Sequence, residues 1–303
     1  MSSATHKPQA FYMVGEAGPG ASPLVLDSPH SWGEWPEGGT PTQAPPEALA
    51  STWDAWIDEL WGAASRGRAP VLAARFHRSF IDANRARDDI DADLLDGTWP
   101  EPLNPGAACL RGMGLIRRLA LPDVPMYAAP LPLAEVQGRI ADYYDPYHQA
   151  LSDLIEAAHA RFGLSVHVDC HSMKSVGNRM NVDAGQARPD MVVSDRMGQA
   201  CDPFLLRWAV SLLRGLGYRV QVNHPYQGAE LVRRHGRPDR GRSSLQIEIN
   251  RALYMDEKRL ARHEGFDRLA RDLSVFVEQL DTGLRAVLYP GSSDLPPGLR
   301  QAQ

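Results

Sequence analysis

The segment VHVDCHSM, residues 166–173, carries the first side chains that could do chemistry. If it is a strand, its side chains alternate, and His167, Asp169 and His171 share one face while Val166, Val168 and Cys170 share the other. Such a face can be a solvated edge, or a histidine satisfied by the neighbouring aspartate. It can equally end in a metal ligand, His171, oriented from behind by Asp169. Cys170 points the other way and reads as core. His30 repeats the situation at the end of PLVLDSPH, Pro23 to His30, where the apolar run stops at Ser28-Pro29 and leaves His30 just past a strand end. Zinc takes ligands that converge from separate elements, so two histidines at two strand ends say more than either alone.

SLQIEIN, residues 244–250, sets Leu245, Ile247 and Ile249 on one face and Gln246, Glu248 and Asn250 on the other. Flanking apolar residues imply that Glu248 is buried, and burial raises a carboxyl pKa toward the range of a general base. A structural ion pair with Arg251 or Arg78 is the plainer alternative. In RFHRSFIDANR, residues 75–85, Asn84 and Arg85 beside Arg78 can form an anion pocket, because guanidinium grips carboxylate in a bidentate fork. The plainer alternative there is a solvated loop with surface ion pairs.

Four motifs occur in order: PHSxG (29–33), RxxxDxNR (78–85), DCHS (169–172) and QIEINRxLYMD (246–256). In this the chain resembles the N-formylglutamate amidohydrolase family, itself similar to zinc carboxypeptidases and aspartoacylases in fold and catalytic layout. The likeness runs from about Pro23 to the final helix. It implies that His30 and His171 bind one zinc ion. It implies that Glu248 takes the proton of the attacking water and returns it to the leaving amine. It further implies that Asn84 and Arg85 hold a substrate carboxylate, and that Arg78 polarises the scissile carbonyl. The carboxypeptidase pattern has a glutamate three residues after the first histidine, where this chain has Gly33. Asp54, in WDAWIDEL, is the first candidate for the third ligand, one helical turn before Asp58; Glu34 is the second. A solvated helix face is the bland reading of Asp54. The expected substrate is a small N-formyl or other N-acyl amino acid bearing a carboxylate. Alternatives are an amidase or peptidase acting on another N-acyl or peptidoglycan-like substrate, and a non-catalytic metal- or anion-binding protein.

The elements that must position these residues read as one α/β domain over residues 21–290, with a mixed sheet and helices on both faces, zinc-carboxypeptidase-like. Residues 1–20 read as a loose arm and 291–303 as a tail. Strands are expected over Pro23–His30, Pro70–Phe76, Ser165–His171, 191–195, 218–223 and 244–250. Helices are expected over about Glu47–Ser65, 132–161 (with Pro146 at a break or first turn), from Asp202-Pro203 to Gly215–Gly217, and Asp256–Leu288. Residues 223–242, rich in Gly and Arg, read as a loop that either covers the pocket or is plain surface; His224 and His235 are bystanders.

A net charge of −5 and a pI near 6.1 argue against a nucleic-acid partner, which needs a basic excess. Three cysteines without a CxxC pair suit a reducing compartment and argue against a thiolate zinc site. No apolar run reaches the ~18–20 residues that span a bilayer, and the N-terminus lacks a signal-peptide pattern. A soluble, cytoplasmic protein of undetermined oligomeric state is expected.

Overall fold

The computed structural model describes residues 9–288. Among them, seven strands join one sheet: β1 (Phe11–Met13), β2 (Leu24–Ser28), β3 (Val71–Ala74), β4 (Ser165–Met173), β5 (Met191–Ser194), β6 (Val220–Val222) and β7 (Arg242–Asn250). Their order across the sheet is β1-β3-β2-β4-β7-β5-β6. β2, β4 and β7 run parallel, β5 lies antiparallel to β7, and β6 is parallel to β5. The mixed sheet flanked by helices is as the sequence reading expects. Every residue of β2 and β4 is buried. That explains why the central strands are apolar on one face. Their other face is polar yet equally buried, so each of its groups needs a partner.

By their internal contacts the residues fall into two compact units. The larger comprises Met13–Ser28, Trp56–Leu72 and the described chain from Leu151 onward. It holds β2 and β4 to β7, and helices α2 (Ile57–Ser65), α5 (Pro203–Gly215) and α6 (Gly265–Leu288). α2 packs on α6 and on β2 and β4, and α5 packs on α6 and β6. α5 starts as its sequence dictates: Asp202 caps it by accepting the Phe204 and Leu205 N–H groups, with Pro203 at the first position. The other unit comprises Pro29–Ala55 and Ala73–Ala150, with its N-terminal strand residues. It holds α1 (Pro46–Thr52) and α3 (Leu133–Arg139) amid long irregular chain. An aromatic cluster replaces regular structure there: Trp35 meets Phe80 edge-on, and the Arg139 guanidinium lies 3.9 Å over the Phe80 ring. Arg139 also donates to the Phe80 carbonyl and the Tyr127 hydroxyl. α4 (Asp145–Phe162) contributes residues to both units. It continues α3 through a π-helical turn at Ile140–Tyr144, and Pro146, which has no N–H to give to a regular ladder, follows directly on that irregular turn.

Several boundaries differ from expectation. Phe11–Met13, read as arm, form β1. The helix expected from 47 to 65 is two helices, because Trp53 turns extended and ends α1 after Thr52, and a left-handed Trp56 (φ 58°) directly precedes α2. The final helix begins at Gly265 and not near Asp256. Met255–Asp256 and Ala261–Arg262 instead pair as a small antiparallel ribbon. The 223–242 stretch contains a short helix, Glu230–His235. The C-terminal tail lies outside the described residues.

Candidate metal centre

β4 and β7 carry one half of the chemistry. Their register pairs His167 with Ser244, Asp169 with Gln246 and His171 with Glu248. Partners in register share a face, so the polar residues form three rows. His167 is tied on both sides, with Nε2 2.8 Å from Asp27 Oδ1 and Nδ1 2.7 Å from Ser244 Oγ. His171 Nε2 lies 2.6 Å from Asp169 Oδ1. A carboxylate at Nε2 holds the proton there and leaves the Nδ1 lone pair for a ligand. Gln246 donates from Nε2 to Glu248 Oε1 at 3.0 Å, which fixes one oxygen of that buried carboxylate.

His30 lies two residues beyond β2, in the turn that Ser28-Pro29 begins, and is 1% exposed. Its Nε2 donates to Asp82 Oδ1 at 2.7 Å, and its Nδ1 stands 3.5 Å from Asp54 Oδ2. Asp82 also accepts from Arg78 Nη2 at 3.0 Å and from the Asn84 backbone N–H, and Arg117 Nη2 is 3.7 Å away. Burial alone would raise the Asp82 pKa, but His30, Arg78 and Arg85 outweigh it and hold the carboxyl well below its usual range. It is therefore an anion at neutral pH. Asp54 sits in the break between α1 and α2 and not on a helix face with Asp58. Its backbone N–H donates to the His30 carbonyl, and it is 1% exposed. Arg78 Nη1 lies 3.8 Å from its Oδ1.

His30, Asp54 and His171 each offer one ligand atom, and these atoms lie within 4.8 Å of one another. Of the two candidates for a third ligand, Asp54 belongs to this cluster and Glu34 is exposed. A Cβ at Gly33 would meet the Trp53 ring at 3.3 Å, so a side chain there requires the ring to give by a few tenths of an ångström. Arg85 spends Nε on the Met113 carbonyl and Nη1 on its neighbour's carbonyl, Asn84 O. Sequence reasoning gave no role to Asp82, Gln246 or Arg117. The first two stand inside quoted motifs, where the alternation around Glu248 and the D of RxxxDxNR were available signals. Arg117 lies in no motif.

The sequence profile of the N-formylglutamate amidohydrolases matches residues 22–255. The chain belongs to the N-formylglutamate amidohydrolase family. It is 28% identical over 245 residues to an N-formylglutamate deformylase of Pseudomonas aeruginosa, covering 79% of this chain and 84% of that one. A deformylase of the same name from Pseudomonas putida is 27% identical over 279 residues, covering 90% and 95%. Among solved structures, the N-formylglutamate amidohydrolase of Ralstonia eutropha JMP134 superposes with a TM-score of 0.85 at 41% identity, covering 92% of this chain and 99% of that one. The Atu2144 product of Agrobacterium tumefaciens shares the fold, with a TM-score of 0.63 at 18% identity and coverage of 92% and 97%. All four motifs lie within or end one residue past the matched span, so the family assignment and the site share the same residues. No helix among the described residues is long and apolar enough to cross a membrane.

Proposed function

We propose that this chain hydrolyses the amide bond of an N-formyl, or closely related N-acyl, amino acid with the help of one zinc ion held by His30, His171 and Asp54. The observation that carries the reading is the convergence of these three buried donors. Two imidazoles and a carboxylate suit zinc, and a carboxylate at Nε2 of each histidine supplies the orientation that metal-binding histidines need. A zinc ion bound there would lower the pKa of a water molecule and draw charge from an acyl oxygen.

Glu248 is the proton carrier. It neighbours His171 in register, and Gln246 holds its Oε1. It takes the proton of the attacking water and passes it to the nitrogen of the leaving amino acid, so one carboxylate serves as base and then as acid. Arg78 faces two carboxylates, Asp54 and Asp82, which fix its guanidinium. From there it stabilises the negative charge that develops on the acyl oxygen. Asn84 and Arg85 hold the α-carboxylate, and fixing the substrate in this way removes part of the entropic barrier. The products are formate, or another acid, and the free amino acid. Three buried free thiols favour a cytoplasmic setting.

The test is formate release from N-formyl-L-glutamate, first by purified protein, then after chelation, then after adding zinc back. Activity that disappears with the metal and returns with zinc is expected. Full turnover in the chelated protein would end the metal reading.

A further inference from the structure

The segment from Phe80 to Arg85 carries Asp82, Asn84 and Arg85, yet it belongs to no helix or strand, and its residues 80–84 are buried. Buried irregular chain must find partners for its own carbonyls. Three come from one continuous helical run. Arg139, the last residue of α3, donates from Nη1 to the Phe80 carbonyl at 2.8 Å. Tyr144, the last residue of the π-helical turn, donates its hydroxyl to the Arg85 carbonyl at 2.8 Å. His148, in the first turn of α4, donates from Nε2 to the Ala83 carbonyl at 2.9 Å. All three residues are buried.

The π-helical turn is what puts these donors on one side. In an α-helix, residues five apart stand about 140° apart around the axis. Here the Asp145 N–H bonds to the Ile140 carbonyl, five residues back, and the wider turn brings Tyr144 round to the side of Arg139. His148 follows four residues later on the same face, with its ring centre 4.1 Å from that of Tyr144. The stacked pair thus holds the carbonyls on either side of Asn84. The Arg85 side chain is held as well, since Nε donates to the Met113 carbonyl and Nη1 to Asn84 O. π-Helical turns inside α-helices occur frequently at functional sites.

We infer that Tyr144 and His148 are positioning residues for substrate binding. They fix the backbone around Asn84, so that Asn84 and Arg85 meet the substrate α-carboxylate in one geometry. This rests on the N-acyl amino acid reading of the site. The two residues touch no substrate themselves; they act through the pair they hold. Their loss should therefore be felt where the α-carboxylate is bound, and not at the metal.

The experiment compares N-formyl-L-glutamate with N-formyl-L-isoglutamine, in which the α-carboxylate alone is replaced by an amide, in zinc-supplemented protein. Wild type is expected to favour the α-carboxylate substrate in kcat/KM by about tenfold or more. Tyr144→Phe keeps the ring on His148 and removes only the donor. Misplacing a positioning group by about 1 Å can cost about 10²-fold, and losing one of several anchors should cost less, about five- to tenfold. That loss should fall on the α-carboxylate substrate, mainly in KM, with the amide substrate and zinc affinity little changed. Adding Tyr144→Phe to Arg85→Met should cost nothing further, because residues that act through one another do not add. No loss, an equal loss on both substrates, or losses that add in the double variant would overturn the proposal, since a hydroxyl that merely satisfies a buried carbonyl affects both substrates alike. His148→Leu should repeat the selective loss, and His148→Gln, which keeps an N–H donor in place of Nε2, should restore most of it. If His148→Leu does not fold, Tyr144→Phe decides. Arg85→Met without loss would end the Arg85 reading and the proposal with it, a result distinct from additive losses. If wild type hydrolyses neither substrate, the amidohydrolase reading fails, and calorimetric binding of the same two compounds decides. The proposal then stands if the α-carboxylate form is preferred and the preference shrinks in Tyr144→Phe, and falls otherwise.

Discussion

Replacing Asp82 by Asn probes the centre without touching a ligand. The substitution is isosteric and keeps an oxygen that can accept from His30 Nε2, now 2.7 Å from Oδ1. What it removes is the negative charge, in a site with no solvent exposure. Two effects follow. The charge-assisted bond that directs His30 Nδ1 weakens, and loss of such an outer partner typically costs about 10–100-fold in metal affinity. That factor equals about 1.4–2.7 kcal/mol of binding. In addition, Arg78 and Arg117 lose a common counter-ion, and leaving a buried charge uncompensated costs about 3–5 kcal/mol when one partner is removed. Asp54 still faces Arg78, so the stability loss should sit at or below the lower end of that range. Competition against a chromophoric chelator measures zinc affinity, and denaturant unfolding of the metal-free protein measures the second effect separately. Zinc affinity unchanged in Asp82→Asn would refute the claim that this carboxylate orients His30, whatever happened to stability.

Other perturbations address the remaining residues. Glu248→Gln should keep zinc and lose about 10²–10⁴-fold in kcat, and an unimpaired variant removes Glu248 from proton transfer. Asp54→Ala combined with Gly33→Glu should not regain metal, because a side chain at 33 presses on Trp53; recovered zinc binding would show that position 33 can reach the centre. His77 is buried beside Arg117 and Arg78, and burial first, then those cations, push it from 6.5 down to about 3. The unfolded chain therefore takes a proton that the folded protein refuses, and stability falls as pH drops from 6.5 toward 3, by about 1.4 kcal/mol per pH unit. His77→Asn, which keeps an acceptor for the Ser79 N–H, should flatten that acid-side loss in urea unfolding at pH 7, 5.5 and 4.5, whereas parallel pH curves for the two proteins would contradict it.

The strand chemistry was legible because alternation is local. His167, Asp169 and His171, and again Gln246 and Glu248, are separated by two residues, and a period of two assigns them to a face before any partner is known. The cap of α5 was legible for the same reason, since Asp202 and Pro203 act on their own next turn. The break between α1 and α2 was not, because the tryptophans at helical spacing continue through it. Nothing in that spacing marks the extended Trp53 that ends α1 just before Asp54, or the left-handed Trp56 that precedes α2.

By itself, then, the sequence determined which histidines stand at strand ends, which carboxylate lies on a buried strand, and which family the motifs resemble. These are matters of spacing and residue type. Tertiary structure decided the rest. It brought Asp54, 117 residues from His171, within reach of the two histidines, and left Glu34 exposed. It set Asp82 at the Nε2 of His30. It drew Arg117 from an unmarked segment into a buried cluster of charge. Burial and charge neighbourhood depend on residues distant in the chain, and no local pattern encodes them.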